Sequence, residues 1–215
     1  MDRQTIYALA AAATLAAVAA TGATAQQASW GPGADDAAFA EMLRTGFRNA
    51  GTVTTERLKQ DETQAFCSDP AMAASAAAAK RAEAVEKANM STVKWPSDGK
   101  FLGDWKAGER VAQSGRGLTW TDAANQANGG NCYNCHQIDA KEISYGTIGP
   151  SLYHYGKLKG NTEEVRRDTW AKIFNSKASN ACSNMPRAGH MGILTEKDMK
   201  DIMALLLDPE SPVNK

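Results

Sequence analysis

The sequence predicts an all-α protein, a C-terminal helical domain preceded by a helical N-terminal extension. Three observations carry that reading. Apolar residues recur at helical spacing in several stretches bounded by capping residues. No stretch alternates apolar and polar residues with comparable strength. The third is Cys132-Tyr133-Asn134-Cys135-His136, a C-x-x-C-H run that sets two thiols and an imidazole on one short turn and is the attachment signature of a c-type haem.

Residues 1–25 read as a targeting segment. Arg3 supplies the positive charge, Ile6 to Ala20 is apolar and Ala-rich, and Ala23-Thr24-Ala25 is a small-x-small cleavage site, so the mature chain is expected to begin at Gln26. The apolar run is too short and too Ala-rich for a membrane anchor, which needs about 20 apolar residues. No later segment is apolar enough to span a bilayer. The expected product is soluble and exported, with no membrane span after signal cleavage. In a bacterium that address is the periplasm, an oxidising compartment. The 24 basic and 24 acidic residues balance, which argues against a nucleic-acid partner.

Residues 26–100 read as the extension. A tether with Gly31-Pro32-Gly33 leads to a helix over 35–48, capped by Asp35 or Asp36, with Phe39, Met42 or Leu43, and Phe47 on one face. A second piece covers 54–65 from Thr54 or Thr55. Pro70 suits the first turn of a third helix with Asp69 as its cap. Ala71 to Asn89 is Ala-rich and strongly helix-forming. Trp95-Pro96 ends the region in extended backbone. Large apolar residues are too few here for a separate core, so the extension is expected to pack on the C-terminal domain.

Residues 101–215 read as the haem domain. Its first helix spans 104–114, with Trp105, Gly108 and Val111 or Ala112 along one face and Gly108 permitting close helix approach. A loop and a turn of helix fill 115–131. Gly146, Gly149, Pro150, Gly156 and Gly160 make 137–160 mostly loop. A helix over 162–177 is expected to be capped by Asn161 with Glu164 three residues on, its apolar face made of Val165, Thr169, Trp170, Ile173 and Phe174. The last helix, 195–207, is capped by Thr195, striped by Met199, Ile202, Met203, Leu205 and Leu206, and stopped by Asp208-Pro209.

A bare C-x-x-C has rivals, a thioredoxin-like redox pair or half of a zinc site. The adjoining His, the export segment and a downstream Met-Pro favour haem. No second Cys pair or His-x3-5-His completes a zinc site. The single motif implies one haem, with thioethers at Cys132 and Cys135 and His136 as proximal ligand. For the distal position the candidate is Met185, which sits in a Cys-Ser-Asn-Met-Pro-Arg loop and not in an apolar stripe; Met191 and His190 are the alternatives. A thioether ligand favours Fe(II), raises the potential and leaves no open coordination position. His154 reads as a surface or hydrogen-bonded residue. Cys67 and Cys182 remain, and an oxidising compartment favours a disulfide between them over a reactive thiol. Tyr133 and Asn134, between the thioether cysteines, are expected at the surface where electrons enter or leave.

C-x-x-C-H, the later Gly149-Pro150-Ser151-Leu152 and a distal Met near the last helix together resemble the class I c-type cytochromes. That resemblance implies a class I cytochrome c-like haem domain in which the Pro150 carbonyl accepts the His136 N–H and Leu152 packs on the porphyrin. Further blocks, among them Glu142 through Leu152, Tyr155-Gly156-Lys157, Met185-Pro186-Arg187, Gly192 through Thr195 and Leu205 through Asn214, look like SoxX, the monohaem subunit family of the bacterial thiosulfate-oxidising SoxAX complexes. This second resemblance implies a heterodimer with a haem-bearing SoxA-like subunit that oxidatively joins thiosulfate to a cysteine of a carrier protein, an L-cysteine S-thiosulfotransferase. The reactive haem would belong to the partner, no catalytic residue to this chain, and a soluble cytochrome c would accept the electrons. The rivals are a free-standing periplasmic electron-shuttle cytochrome c, and a peroxidase-like or thiol-oxidising enzyme in its own right.

Overall fold

A computed structural model describes residues 37–73, 75–117 and 119–215. The targeting segment, its cleavage site and the candidate caps Asp35 and Asp36 lie outside the described residues. Eight α-helices succeed one another among the described residues: α1 Ala37–Gly46, α2 Glu62–Ser68, α3 Pro70–Ala73, α4 Ala78–Met90, α5 Trp105–Gln113, α6 Tyr155–Lys159, α7 Glu163–Phe174 and α8 Glu196–Leu207. The sole β feature among them is an isolated bridge between Ala50 and Val53. The chain is all-α.

The core forms around α8. Its stripe of Met199, Ile202, Met203, Leu205, Leu206 and Leu207 is buried, as the 3.6-residue period requires. Thr195 and Asp198 close a reciprocal capping box at its start. Helix α5 crosses α8 at the predicted glycine: a Cβ on Gly108 would stand 2.1 Å from the Asp201 carbonyl oxygen. The buried carboxylate of Asp201 then locks the crossing. Oδ1 accepts the Asp104 N–H at 2.9 Å, Oδ2 accepts Lys197 Nζ at 2.5 Å, and Asp104 itself caps α5 by accepting the Lys106 N–H.

Four expectations about local structure need correction. Thr162, not Asn161, caps α7: Thr162 is extended and its hydroxyl accepts the Val165 N–H at 3.3 Å, the N3 donor that a cap one residue earlier would miss. The same helix ends at Phe174, because the Asn175 side chain accepts the Lys177 N–H and starts a 3-10 turn, Ser176–Ala178. The 54–65 piece is broken. Thr55–Leu58 is one 3-10 turn, and Asp61 with Gln64 forms a capping box that starts α2 afresh. The Ala-rich stretch divides into α3 and α4, since Ser75 accepts the Ala77 N–H through its hydroxyl and the Ala78 N–H through its carbonyl, a local turn competing with helix.

The extension packs on the haem domain through aromatic and polar contacts. Trp170 of α7 is fully buried and donates its indole N–H to the Lys94 carbonyl at 2.8 Å. Phe101 meets Trp170 edge-on at 5.8 Å and Trp95 at 6.4 Å, and the Arg167 guanidinium lies 3.9 Å over the Trp95 ring. Buried Asn175 donates to Asn89 Oδ1 and Thr92 Oγ1, each at 3.0 Å, while Asn89 donates to Thr63 Oγ1 and the Val85 carbonyl. This satisfied polar network joins α2, α4 and the end of α7. Helix α1, by contrast, buries none of its residues.

Candidate haem site

The approach to the C-x-x-C-H turn is fixed by the end of α5. The N–H groups of Gly129, Gly130 and Asn131 donate to the carbonyls of Arg116, Val111 and Ser114. Asn131 then takes a left-handed conformation, φ 50°, and a 3-10 turn runs Cys132–Asn134. With three residues per turn, side chains at i and i+3 eclipse, so Cys132 and Cys135 share one side. Both are free thiols. Desolvation pushes the half-buried Cys132 thiol up to about 11.

Tyr133 corrects an expectation. It is 6% exposed and belongs to the core; successive side chains of a three-residue turn point about 120° apart, and here Tyr133 faces inward while Asn134 faces out. Burial raises its phenol to about 12. Asn134 is exposed, as expected.

His136 comes directly after, its N–H donating to the Cys132 carbonyl at 2.9 Å. Its Nδ1 lies 2.7 Å from the Pro150 carbonyl oxygen. A carbonyl can only accept, so Nδ1 carries the proton and Nε2 presents its lone pair. The Pro150 loop is zipped onto the motif: Gly146 N–H donates to the Tyr133 carbonyl, Gly149 N–H to Cys135, and Leu152 N–H to Gln137. A Cβ on Gly149 would meet His136 Cε1 at 2.2 Å, so the glycine lets the backbone lie along the ring. Leu152 is half-buried against the core.

The distal candidates lie on the loop between the 3-10 turn Ser176–Ala178 and α8. Met185 is 36% exposed and Met191 is 55% exposed. Both line one cleft with Lys177, Pro186, Arg187 and Ile193. The Met185 backbone is held at both ends, its carbonyl accepting Ser176 Oγ at 2.5 Å and its N–H donating to Ser183 Oγ at 3.1 Å. His190 is exposed, and partial burial of its ring together with the Arg187 charge lowers its pKa. His154 donates from Nε2 to the Lys215 carbonyl oxygen at 2.8 Å and stacks on Tyr153. Cys67 and Cys182 are joined as a disulfide with Cα atoms 5.4 Å apart.

These residues fit a haem. Two thiols share a side, the imidazole has Nε2 without a hydrogen-bond partner among the described residues, and a glycine cradle lies against the ring. Ile148, 79% exposed, offers apolar surface close to the motif in sequence. No group of three His, Cys, Asp or Glu among the described residues could complete a zinc site. Beyond the Cys67–Cys182 bridge, which the sequence led one to expect, the distal loop has a polar grip that sequence reasoning missed. Arg187 donates to Asp61 at 2.5 Å, the Ala181 N–H donates to Glu86 at 3.0 Å, and Lys177 Nζ donates to the carbonyls of Ala181 and Ser183. Arg187 stands two residues from Met185 and was a legible signal; its partner lies 126 residues away.

Residues 112–208 match the family model described as Cytochrome c. An uncharacterised lipoprotein of Aquifex aeolicus (strain VF5) is 38% identical over 164 residues, 73% of this chain and 73% of that protein. No helix among the described residues is long and apolar enough to cross a membrane. The C-x-x-C-H turn, the proline loop and the methionine loop all fall within the matched segment, and the chain carries a cytochrome c domain, an electron-transfer domain with covalently bound haem c.

Proposed function

We propose that this chain is the electron-accepting subunit of a periplasmic SoxAX-like heterodimer. Its partner, a haem-bearing SoxA-like subunit, couples thiosulfate oxidatively to a cysteine of a carrier protein, and this chain passes the electrons singly to a soluble cytochrome c. The haem, when bound, supplies a one-electron couple. Cys132 and Cys135 would hold it covalently, and His136 and Met185 would ligate its iron. Pro150 holds the His136 tautomer, and Leu152 packs on the ring.

The 2.7 Å contact between His136 Nδ1 and the Pro150 carbonyl oxygen is the observation that carries the electron-transfer part. A ligand with a fixed tautomer and orientation changes little between oxidation states. The methionine supplies a second, neutral ligand, so no position is left for substrate. The only other cysteines are tied together, so the described chain offers no activated thiol for covalent catalysis. The sulfur-oxidising part is supported by the sequence resemblance across 130–214.

Reconstitution tests the proposal. Partner, carrier and thiosulfate together should reduce this chain's haem, whereas carrier and thiosulfate without the partner should leave it oxidised. Reduction in the absence of the partner overturns the subunit reading in favour of an enzyme in its own right.

A further inference from the structure

Three separate pieces of the extension reach the same short loop. From the N-terminal end of α2, Asp61 binds Arg187 at 2.5 Å. From the body of α2, Cys67 is bonded to Cys182. From α4, Glu86 accepts the Ala181 N–H at 3.0 Å. The anchored positions 181, 182 and 187 bracket Met185 on both sides. Arg187 is 9% exposed, so its pairing is not an incidental surface contact. Asp61 divides its two oxygens between tasks: Oδ1 caps α2 by accepting the Gln64 N–H at 2.8 Å, and Oδ2 takes Arg187. The elements doing the holding are themselves held, through Thr63, Asn89 and Asn175.

We infer that Asp61 and Glu86 are positioning residues for the axial methionine, the extension acting as a clamp that keeps the Met185 thioether on the iron. This rests on Met185 being the distal ligand. A loop of this length with no regular structure after residue 178 has many conformations of similar energy. Fixing it on both sides of the ligand lowers the fraction of time the thioether is withdrawn.

Cyanide association with the oxidised holoprotein reads that fraction, because the anion binds only when the sixth position opens. Asp61→Asn keeps the helix cap, for which Asn serves as well, but removes the charge facing Arg187. Glu86→Ala removes the acceptor for Ala181. Each should speed cyanide association by about tenfold, the effect of losing one charge-assisted hydrogen bond, with far-UV circular dichroism unchanged. Glu86→Gln retains an acceptor oxygen for the Ala181 N–H and should keep the wild-type rate, whereas Glu86→Met, of similar bulk but with no comparable acceptor, should behave like Glu86→Ala, which a role for bulk alone would not allow. Met185→Ala separates the two ideas: it should abolish the methionine-to-iron charge-transfer band of the oxidised protein. If that band vanishes while Asp61→Asn and Glu86→Ala bind cyanide at the wild-type rate, the clamp alone is wrong. If the band survives Met185→Ala and is lost instead in Met191→Ala, the ligand assignment falls and the clamp falls with it.

Discussion

The two sides of the haem site are built by different means. The proximal side is local: the hydrogen bonds that join His136, its turn and the proline loop lie within residues 131–152, most of them backbone to backbone, and the approach is tied to residues 111–116 only about twenty positions earlier. The distal side is remote: the methionine loop is fastened by Asp61, Cys67 and Glu86, about a hundred residues earlier in the chain. A local device depends on glycines and turn geometry, which few side-chain changes disturb. A remote device depends on the extension being folded and docked. Rigidity of the loop that carries Met185, the proposed ligand, can thus be delegated to a segment outside the family-matched residues 112–208.

The largest effect is expected from breaking the local side. Gly149→Ala would place a methyl group 2.2 Å from His136 Cε1, and the Gly149 backbone is itself zipped to Cys135. The imidazole must tilt and lose the Pro150 contact. The yield of covalently attached haem, assayed by pyridine haemochrome on denatured protein, should fall several-fold. A wild-type yield would show that the ring position is not held by this loop.

A second cut falls on the remote side. Replacing Cys67 and Cys182 together by Ser opens a loop spanning 115 residues, for which chain entropy gives a loss of about 5 kcal/mol, an upper bound. The denaturant midpoint should drop accordingly while haem attachment persists, since the thioethers are elsewhere. Mass mapping of the non-reduced wild-type protein provides the companion check, and two alkylatable thiols at Cys67 and Cys182 would contradict the bridge.

The same local–remote division decides what could be read from the sequence. The C-x-x-C-H turn, the glycine at the α5–α8 crossing and the Thr195 cap are short-range patterns, each dictated by residues within a turn or two. The Asp61–Arg187 pair was invisible because no spacing rule links two charges 126 residues apart. The Asn161 cap failed for a subtler reason: two adjacent polar residues both satisfy the pattern, and only the dihedrals choose Thr162. Tyr133 departs from the expected surface position because the two residues between the cysteines face different ways on a three-residue turn, and only the packing of the turn on the core chooses which one is buried.

The smallest expected effect probes the remote side by pH. For Asp61, burial works to raise the pKa, but the Gln64 backbone N–H and the Arg187 guanidinium outweigh it and hold the carboxyl below its usual value. A depressed pKa in the folded state means that stability from ionised Asp61 is fully present above the unfolded carboxylate range and is lost as pH falls through the folded value. Asp61→Asn has no such titration. The stability gap between wild type and Asp61→Asn, taken from urea midpoints, should therefore be constant from neutral pH down to about pH 5 and shrink below about pH 4. Its plateau should be about 1 kcal/mol, because Asp61 is 42% exposed and solvent screens the pair. The pair is charged on both sides, so added salt should reduce the plateau further. A gap that widens in acid would mean that Asp61 is raised, not lowered, and that Arg187 is not its partner in solution.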